Sequence, residues 1–227
     1  VIAFLCFCGT LIVYLASKWL HRRKPAIYTA PLLVAPIFLI LVLLLLRVPY
    51  EDYNAGAGWL SAMIGPATVA LAVPLYRHWE MLKRNAAIIV TSTAAGAAIA
   101  VVSSALLAKI AHLSPAVTES LLPRSTTTPI AVAISGFIGG IPNLTAVFVL
   151  ITGLLGMLLG PIVIKWCRIE TEIARGVLFG TGAHAAGTAK AFEFGQISGT
   201  VSGIAMLLTA FITLCLAPWL ITLALLG

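Results

Sequence analysis

Gly180-Thr181-Gly182-Ala183-His184-Ala185-Ala186-Gly187-Thr188-Ala189-Lys190-Ala191-Phe192-Glu193 decides how this chain is read. It sets a histidine, a lysine and three glycines inside a stretch otherwise apolar enough to cross a bilayer. Ionisable side chains are costly at that depth and are kept where they face a protein interior or a wet cavity. Backbone loosened by glycine survives there only where it lines such a space. The stretch predicts an interrupted membrane helix with a site at His184.

Composition sets the surroundings. Hydrophobic residues make up 61% of the chain and charged residues 9%, where a soluble domain carries about 25% charged residues. The mean hydropathy is +1.09. At roughly 20 residues per span, the 227 residues form one integral unit, 1–227, with little chain outside the bilayer. The net charge of +7 sits in short loops between apolar runs, which points to orientation in a membrane and away from nucleic acid. Cys6, Cys8, Cys167 and Cys215 lie in or beside apolar runs without paired metal-ligand spacing, so they read as packing residues. No metal or cofactor is expected. The run Lys18-Trp19-Leu20-His21-Arg22-Arg23-Lys24 reads as a stop at the membrane face.

The apolar runs cover about 1–17, 31–46, 55–76, 86–111, 126–138, 144–164, 173–193 and 197–226. Seven are long enough to cross. The run 126–138 is too short, and Thr126-Thr127-Thr128-Pro129 and Gly139-Gly140-Ile141-Pro142-Asn143 bracket it, so it predicts a re-entrant segment. The expected fold is an all-α polytopic membrane protein with about seven transmembrane helices and that one re-entrant segment. Lys18, Arg22, Arg23 and Lys24, then Arg77, Lys83 and Arg84, then Lys165, Arg168 and Arg175 fill three loops. Placing all three in the cytoplasm puts the amino end outside and the carboxyl end inside.

An internal repeat follows from the same layout. Ile64-Gly65-Pro66-Ala67-Thr68 lies about 117 residues before Thr181-Gly182-Ala183-His184-Ala185, each stretch in mid-span and followed by a long apolar run. Basic loops change sides between the two halves. This predicts an inverted repeat, three crossings in 31–111 and three in 144–226, with two interrupted helices meeting near the midplane. Residues 80 and 197 would then flank opposite faces.

An interrupted helix turns a half-helix amino end, with its free N–H groups and partial positive charge, toward the membrane centre, which favours small anions. Gly65, Pro66, Ala67 and Thr68 supply one break, and Gly182, His184, Gly187 and Thr188 the other. Thr127, Thr128 and Asn143 add hydroxyl and amide groups able to bind carboxylate oxygens. His184 titrates near neutrality and suits proton coupling. Counting along a straight span, Lys190 falls about 12 Å beyond Gly182, near the outer interface, where it can pair with Glu193; with His184 these two are the expected coupling or gating residues. Gly96, Gly153, Gly156, Gly160, Gly199 and Gly203 read as packing positions outside the site. No H-E-x-x-H pair or G-x-S-x-G elbow appears, so no enzyme is expected.

Four stretches in order carry a family likeness: Gly182-x-His184-x-x-Gly187-Thr188-Ala189-x-Ala191-x-Glu193-x-Gly195; Gly65-Pro66-Ala67-Thr68-x-x-Leu71-Ala72-x-Pro74-Leu75-Tyr76; Thr127-Thr128-Pro129-Ile130-Ala131; and Gly139-Gly140-Ile141. With Arg175-Gly176, they resemble the LrgB/CidB family of bacterial membrane proteins over essentially the whole chain. The resemblance implies a bacterial cell membrane, a small LrgA-like or CidA-like membrane partner, and an antiholin or holin-like role in murein hydrolase export and cell lysis. It equally implies carboxylate transport, because the plastidal glycolate/glycerate translocator carries a related domain. A holin needs only oligomerising apolar helices, whereas interrupted spans and a buried histidine fit a carrier. The expected function is therefore proton-coupled transport of small monocarboxylates such as glycolate, glycerate or pyruvate, by alternating access. The smooth apolar faces of 1–46 and 144–164 suit a homodimer.

Overall fold

The computed structural model describes residues 2–24, 29–70 and 72–225. Among them every regular element is a helix. They are α1 (Ile2–Arg23), α2 (Pro31–Leu45), α3 (Tyr50–Ala62), α4 (Ile64–Ala70), α5 (Ala72–Arg77), α6 (Trp79–Arg84), α7 (Ala86–Ile110), α8 (Pro115–Leu121), α9 (Thr128–Ile138), α10 (Pro142–Trp166), α11 (Glu172–Phe194) and α12 (Gln196–Leu225). The all-α polytopic expectation holds. Five stretches are long and apolar enough to cross a bilayer: Ala3–Arg23, Tyr50–Arg77, Ala86–Ile110, Pro142–Trp166 and Gln196–Leu216. Two of the seven expected spans are missing from that set: α2 has only 15 residues, and α11 bends.

Local chemistry explains most boundaries. Proline opens α2, α8, α9 and α10, where its missing N–H has no helical partner to lose. Arg47, His112 and Arg168 follow the last turns of α2, α7 and α10 with φ of 53°, 50° and 51°. The next N–H in each case reaches back to a carbonyl near the helix end, as in Leu113 N to Ala108 O at 3.0 Å and Ile169 N to Ile164 O at 2.9 Å, which satisfies a terminal carbonyl. Gly139 ends α9 with φ 101°. That region of the backbone favours glycine.

The chain divides into two units, Val1–Ala72 and Val73–Gly227. In the first, α1 packs on α3: Gly56 lies directly against the backbone of Ala3, and the hydroxyls of Thr10 and Tyr53 meet at 3.2 Å. The helical run from Tyr50 is broken at Met63, directly ahead of Gly65 and Pro66.

In the second unit, α11 is a helical hairpin. Its backbone is helical except at His184, where φ is 40° and ψ −128°. Beyond that residue the chain returns beside the arm it came from. Residues 179 and 194 would be about 22 Å apart in a continuous helix, yet the rings of Phe179 and Phe194 lie with centroids 5.5 Å apart. The guanidinium of Arg175 sits 5.9 Å from the Phe194 ring. Gly187 packs on the carbonyl of Phe179, and Gly195 lies against the Glu172 carboxylate. Then α12 starts at the base of the hairpin, where Ser198 Oγ donates to the Glu172 carbonyl at 3.1 Å. It runs parallel to the outgoing arm, with Ser198 at Gly176 and Ser202 at Gly180.

One face of α10 receives two elements. On its carboxyl half, Gly160 lies against Phe179, Gly156 against Ala183 and Gly153 against His184. On its amino half, Thr145 Oγ1 donates to Ser135 Oγ of α9 at 2.6 Å. With 11 residues, α9 covers about 17 Å, roughly half a bilayer. It runs antiparallel to α10, so its first residue, Thr128, is level with about residue 152 of α10. The α11 tip, beside Gly153, lies level with the midpoint of this 25-residue helix.

This geometry corrects several expectations. The break at His184 exists, but the chain doubles back there instead of continuing as one span; within 144–226 the described stretches long and apolar enough to cross are Pro142–Trp166 and Gln196–Leu216. Lys190 is on the returning arm, about 9 Å back toward the base, and not beyond the tip near the outer interface. Leu82, Met81, Ile173 and Ile197 share one apolar cluster, so residues 80 and 197 are at the same end of this unit. That end carries Lys83, Arg84, Lys165 and Arg168. α12 starts at this end, whereas an α11 that crossed would start it at the other.

Candidate functional site

The break places His184 at mid-depth, 6% exposed. Its Nε2 lies 3.0 Å from the carbonyl of Val149 on α10. A carbonyl only accepts, so Nε2 carries the hydrogen in this arrangement and Nδ1 is the acceptor of a neutral ring. Glycine at 153 makes room for the ring: a Cβ there would stand 2.6 Å from Cε1 and 3.0 Å from Nε2. Positive φ at a non-glycine residue inside a helix stores roughly 1–3 kcal/mol of strain, which is tolerated where surrounding packing dictates the shape. Here α10 and α12 dictate it.

The return arm begins immediately after the break. Thr188 Oγ1 donates to the carbonyl of His184 at 3.0 Å and meets Ser202 Oγ of α12, also at 3.0 Å. Met206 Sδ lies 3.9 Å from the same hydroxyl. These bonds fix the second arm against α12 with its amino end at the tip. Its first N–H groups lack helical acceptors, which makes that end electropositive.

The amino end of α9 approaches the same level of α10 from the other side. Thr127 takes the cap position with no bond from its side chain, and Thr128 is exposed. Counted along α10 from the Ser135–Thr145 bond, the amino end of α9 stands level with 149–153, the level at which the α11 tip meets Val149, and the two ends approach it from opposite ends of that helix. Such a pair of ends is suited to a small anion.

The other expected site residues divide plainly. His184, Thr188, Thr127 and Thr128 belong to this region. Gly182, next to the break, is exposed, and a Cβ added there would meet no atom within 4 Å. Gly187 serves the closure of the hairpin by packing on Phe179. Asn143 is exposed at the start of α10, about 15 Å along the helix from Gly153, so the structure does not bring it to the tip. Lys190 Nζ and Glu193 Oε2 form a 2.5 Å ion pair toward the base of the returning arm. Gly65, Pro66 and Ala67 are exposed in α4 of the first unit; the side chain of Thr68 lies outside the described residues. The packing glycines fall as expected at 153, 156, 160 and 199, and Gly96 meets Thr181, whereas a Cβ at Gly203 would meet no atom within 4 Å; Gly153 also shapes the site. Val149, Ser202 and Met206 escaped sequence reasoning, because a carbonyl partner and a neighbouring helix leave no motif. Gly153-x-x-Gly156-x-x-x-Gly160 signalled a close neighbour without naming it.

Comparison with known proteins agrees with the residue patterns. The LrgB-like family profile matches residues 10–223. The chain is 53% identical to the uncharacterized protein YwbG of Bacillus subtilis over 94% of this chain and 95% of that one. It is 36% identical to the holin-like protein CidB of Staphylococcus aureus over 97% and 96% of the two chains. No solved structure matches. A polytopic helical chain with this profile along nearly its whole length belongs to the LrgB family.

Proposed function

We propose that this chain is a holin-like protein of the bacterial cell membrane, and that it changes permeability by carrying small monocarboxylates. The holin-like half of this reading rests on kinship with CidB. In that role the chain works beside a small LrgA-like or CidA-like membrane protein in murein hydrolase export and lysis. The carrier half rests on one observation: the amino ends of α9 and of the returning arm of α11 converge on mid-depth of α10. A wide pore has no use for two half-depth elements entering from opposite ends. A carrier of small anions does, since each end can open alternately onto a shared site. Glycolate, glycerate and pyruvate have the right charge and size, and a neutral His184 with a free Nδ1 suits a proton partner.

Proteoliposomes holding the purified chain and a small fluorescent dye separate the two halves. Saturable counterflow of labelled glycolate, glycerate or pyruvate with the dye retained is the expected result. Dye release without saturable exchange removes carriage and leaves the holin-like role alone.

A further inference from the structure

Arg124 lies in the run 122–127, which joins α8 to the amino end of α9. Its Nε donates to Ser104 Oγ at 2.9 Å. Ser104 is fully buried and sits about 9 Å past the midpoint of α7, inside a hydrocarbon half-thickness of about 15 Å. Leu122, two residues before the arginine, packs with Val101, Ile134 and Ile138, so the run is clamped between α7 and α9. The Ser104 hydroxyl already donates to the carbonyl of Ala100 at 2.6 Å and offers no charge. Among the described residues no carboxylate lies within ion-pair distance of Arg124. A guanidinium at this depth without a counter-charge is unfavourable and calls for an anion.

The neighbouring groups are donors too. Ser125 is 1% exposed and its hydroxyl has no partner among the described residues. Two residues on, Thr127 leaves the first N–H groups of α9 without side-chain acceptors. Charge, hydroxyl and helix end therefore share one need, an acceptor with two oxygens.

The geometry points to a carboxylate-binding site formed by Arg124, Ser125 and the amino end of α9, taking a small monocarboxylate on its way to or from the tip at His184. The bond to Ser104 uses Nε and leaves both terminal amino groups for a forked contact. Only the site's place on a transport path rests on the carrier reading; its anion chemistry does not.

The test titrates pyruvate into the full-length chain in nanodiscs of phosphatidylcholine, read by calorimetry and by thermal unfolding. Wild type should be stabilised saturably, Arg124→Gln should bind about tenfold more weakly or worse, and Arg124→Lys and Ser125→Ala should fall between, since a lost fork or hydroxyl removes part of a charge-assisted contact. Equal affinity in Arg124→Gln overturns the site, as does a wild type that pyruvate does not stabilise. If Arg124→Gln does not fold, unchanged affinity in both Arg124→Lys and Ser125→Ala overturns it. Stabilisation by phosphatidylglycerol that depends on Arg124, with none by pyruvate, assigns the arginine to lipid phosphate and also overturns it. Pyruvate binding without exchange in vesicles removes carriage and leaves this site standing; exchange with an unchanged KM in Arg124→Gln removes the site and leaves carriage.

Discussion

Gly187→Val is expected to leave no monodisperse folded protein after extraction in mild detergent. Any Cβ at this position runs into the carbonyl oxygen of Phe179 and the side chain of Ala183 on the outgoing arm. A backbone oxygen cannot swing away like the end of a long side chain. The arms must separate, which also pulls Phe194 from Phe179 and Thr188 from Ser202. Overpacking costs about 1–3 kcal/mol where neighbours can adjust, and more where they cannot. Against a total stability of about 5–15 kcal/mol, a backbone clash at the closure of the hairpin belongs at the upper end. Gly182→Val is the matched control, because nothing lies within 4 Å of a Cβ there; it should elute as wild type. Equal behaviour of the two variants would mean that residue 187 does not pack on residue 179.

The second large effect concerns His184, where backbone and side chain pull in opposite directions. With φ at 40°, any L residue is strained, and glycine is not. The imidazole, however, bonds the Val149 carbonyl and fills the space left by Gly153. His184→Ala keeps the strain and loses the ring. His184→Gly loses the ring and relieves the strain. Both variants should lower saturable exchange by about tenfold, the factor that 1.4 kcal/mol represents, because neither holds the tip against α10. In thermal unfolding, the glycine variant should melt above the alanine variant by about 2–4 °C, as expected for relief of about 1 kcal/mol in a chain of this size. An alanine variant melting higher would show that the left-handed backbone is not what the tip requires. Loss of the pH dependence of uptake in both would support the ring as proton partner; unchanged pH dependence would remove it from that role.

Much of this was written in the sequence. The glycines around His184 announced a break, because few other residues tolerate such backbone in a bilayer. Pro129 and Gly139 marked α9 as an element too short to cross. Hydropathy alone could not show the direction taken after the break: a 21-residue apolar run such as 173–193 reads the same whether it continues or doubles back. The return shows in pairs distant in sequence, Phe179 with Phe194 and Glu172 with Gly195, and these have no periodic signature. Reading 173–193 as a straight span also misplaces Lys190 and sets the start of α12 at the wrong end of the unit. Arg124 carries no sequence signal for a related reason. A single arginine in a loop looks like surface charge until its Nε is seen bonded to Ser104, a fully buried residue of α7.

Everything at the tip requires that α11 enter and leave by the same face. Two single cysteines, Glu170→Cys and Gln196→Cys, in a chain with Cys6, Cys8, Cys167 and Cys215 replaced by alanine, flank the hairpin at exposed positions. Membrane-impermeant maleimide applied to sealed vesicles of known orientation should label both from one side and neither from the other. Labelling of residue 170 from one side and residue 196 from the opposite side would make α11 a crossing helix and contradict the hairpin.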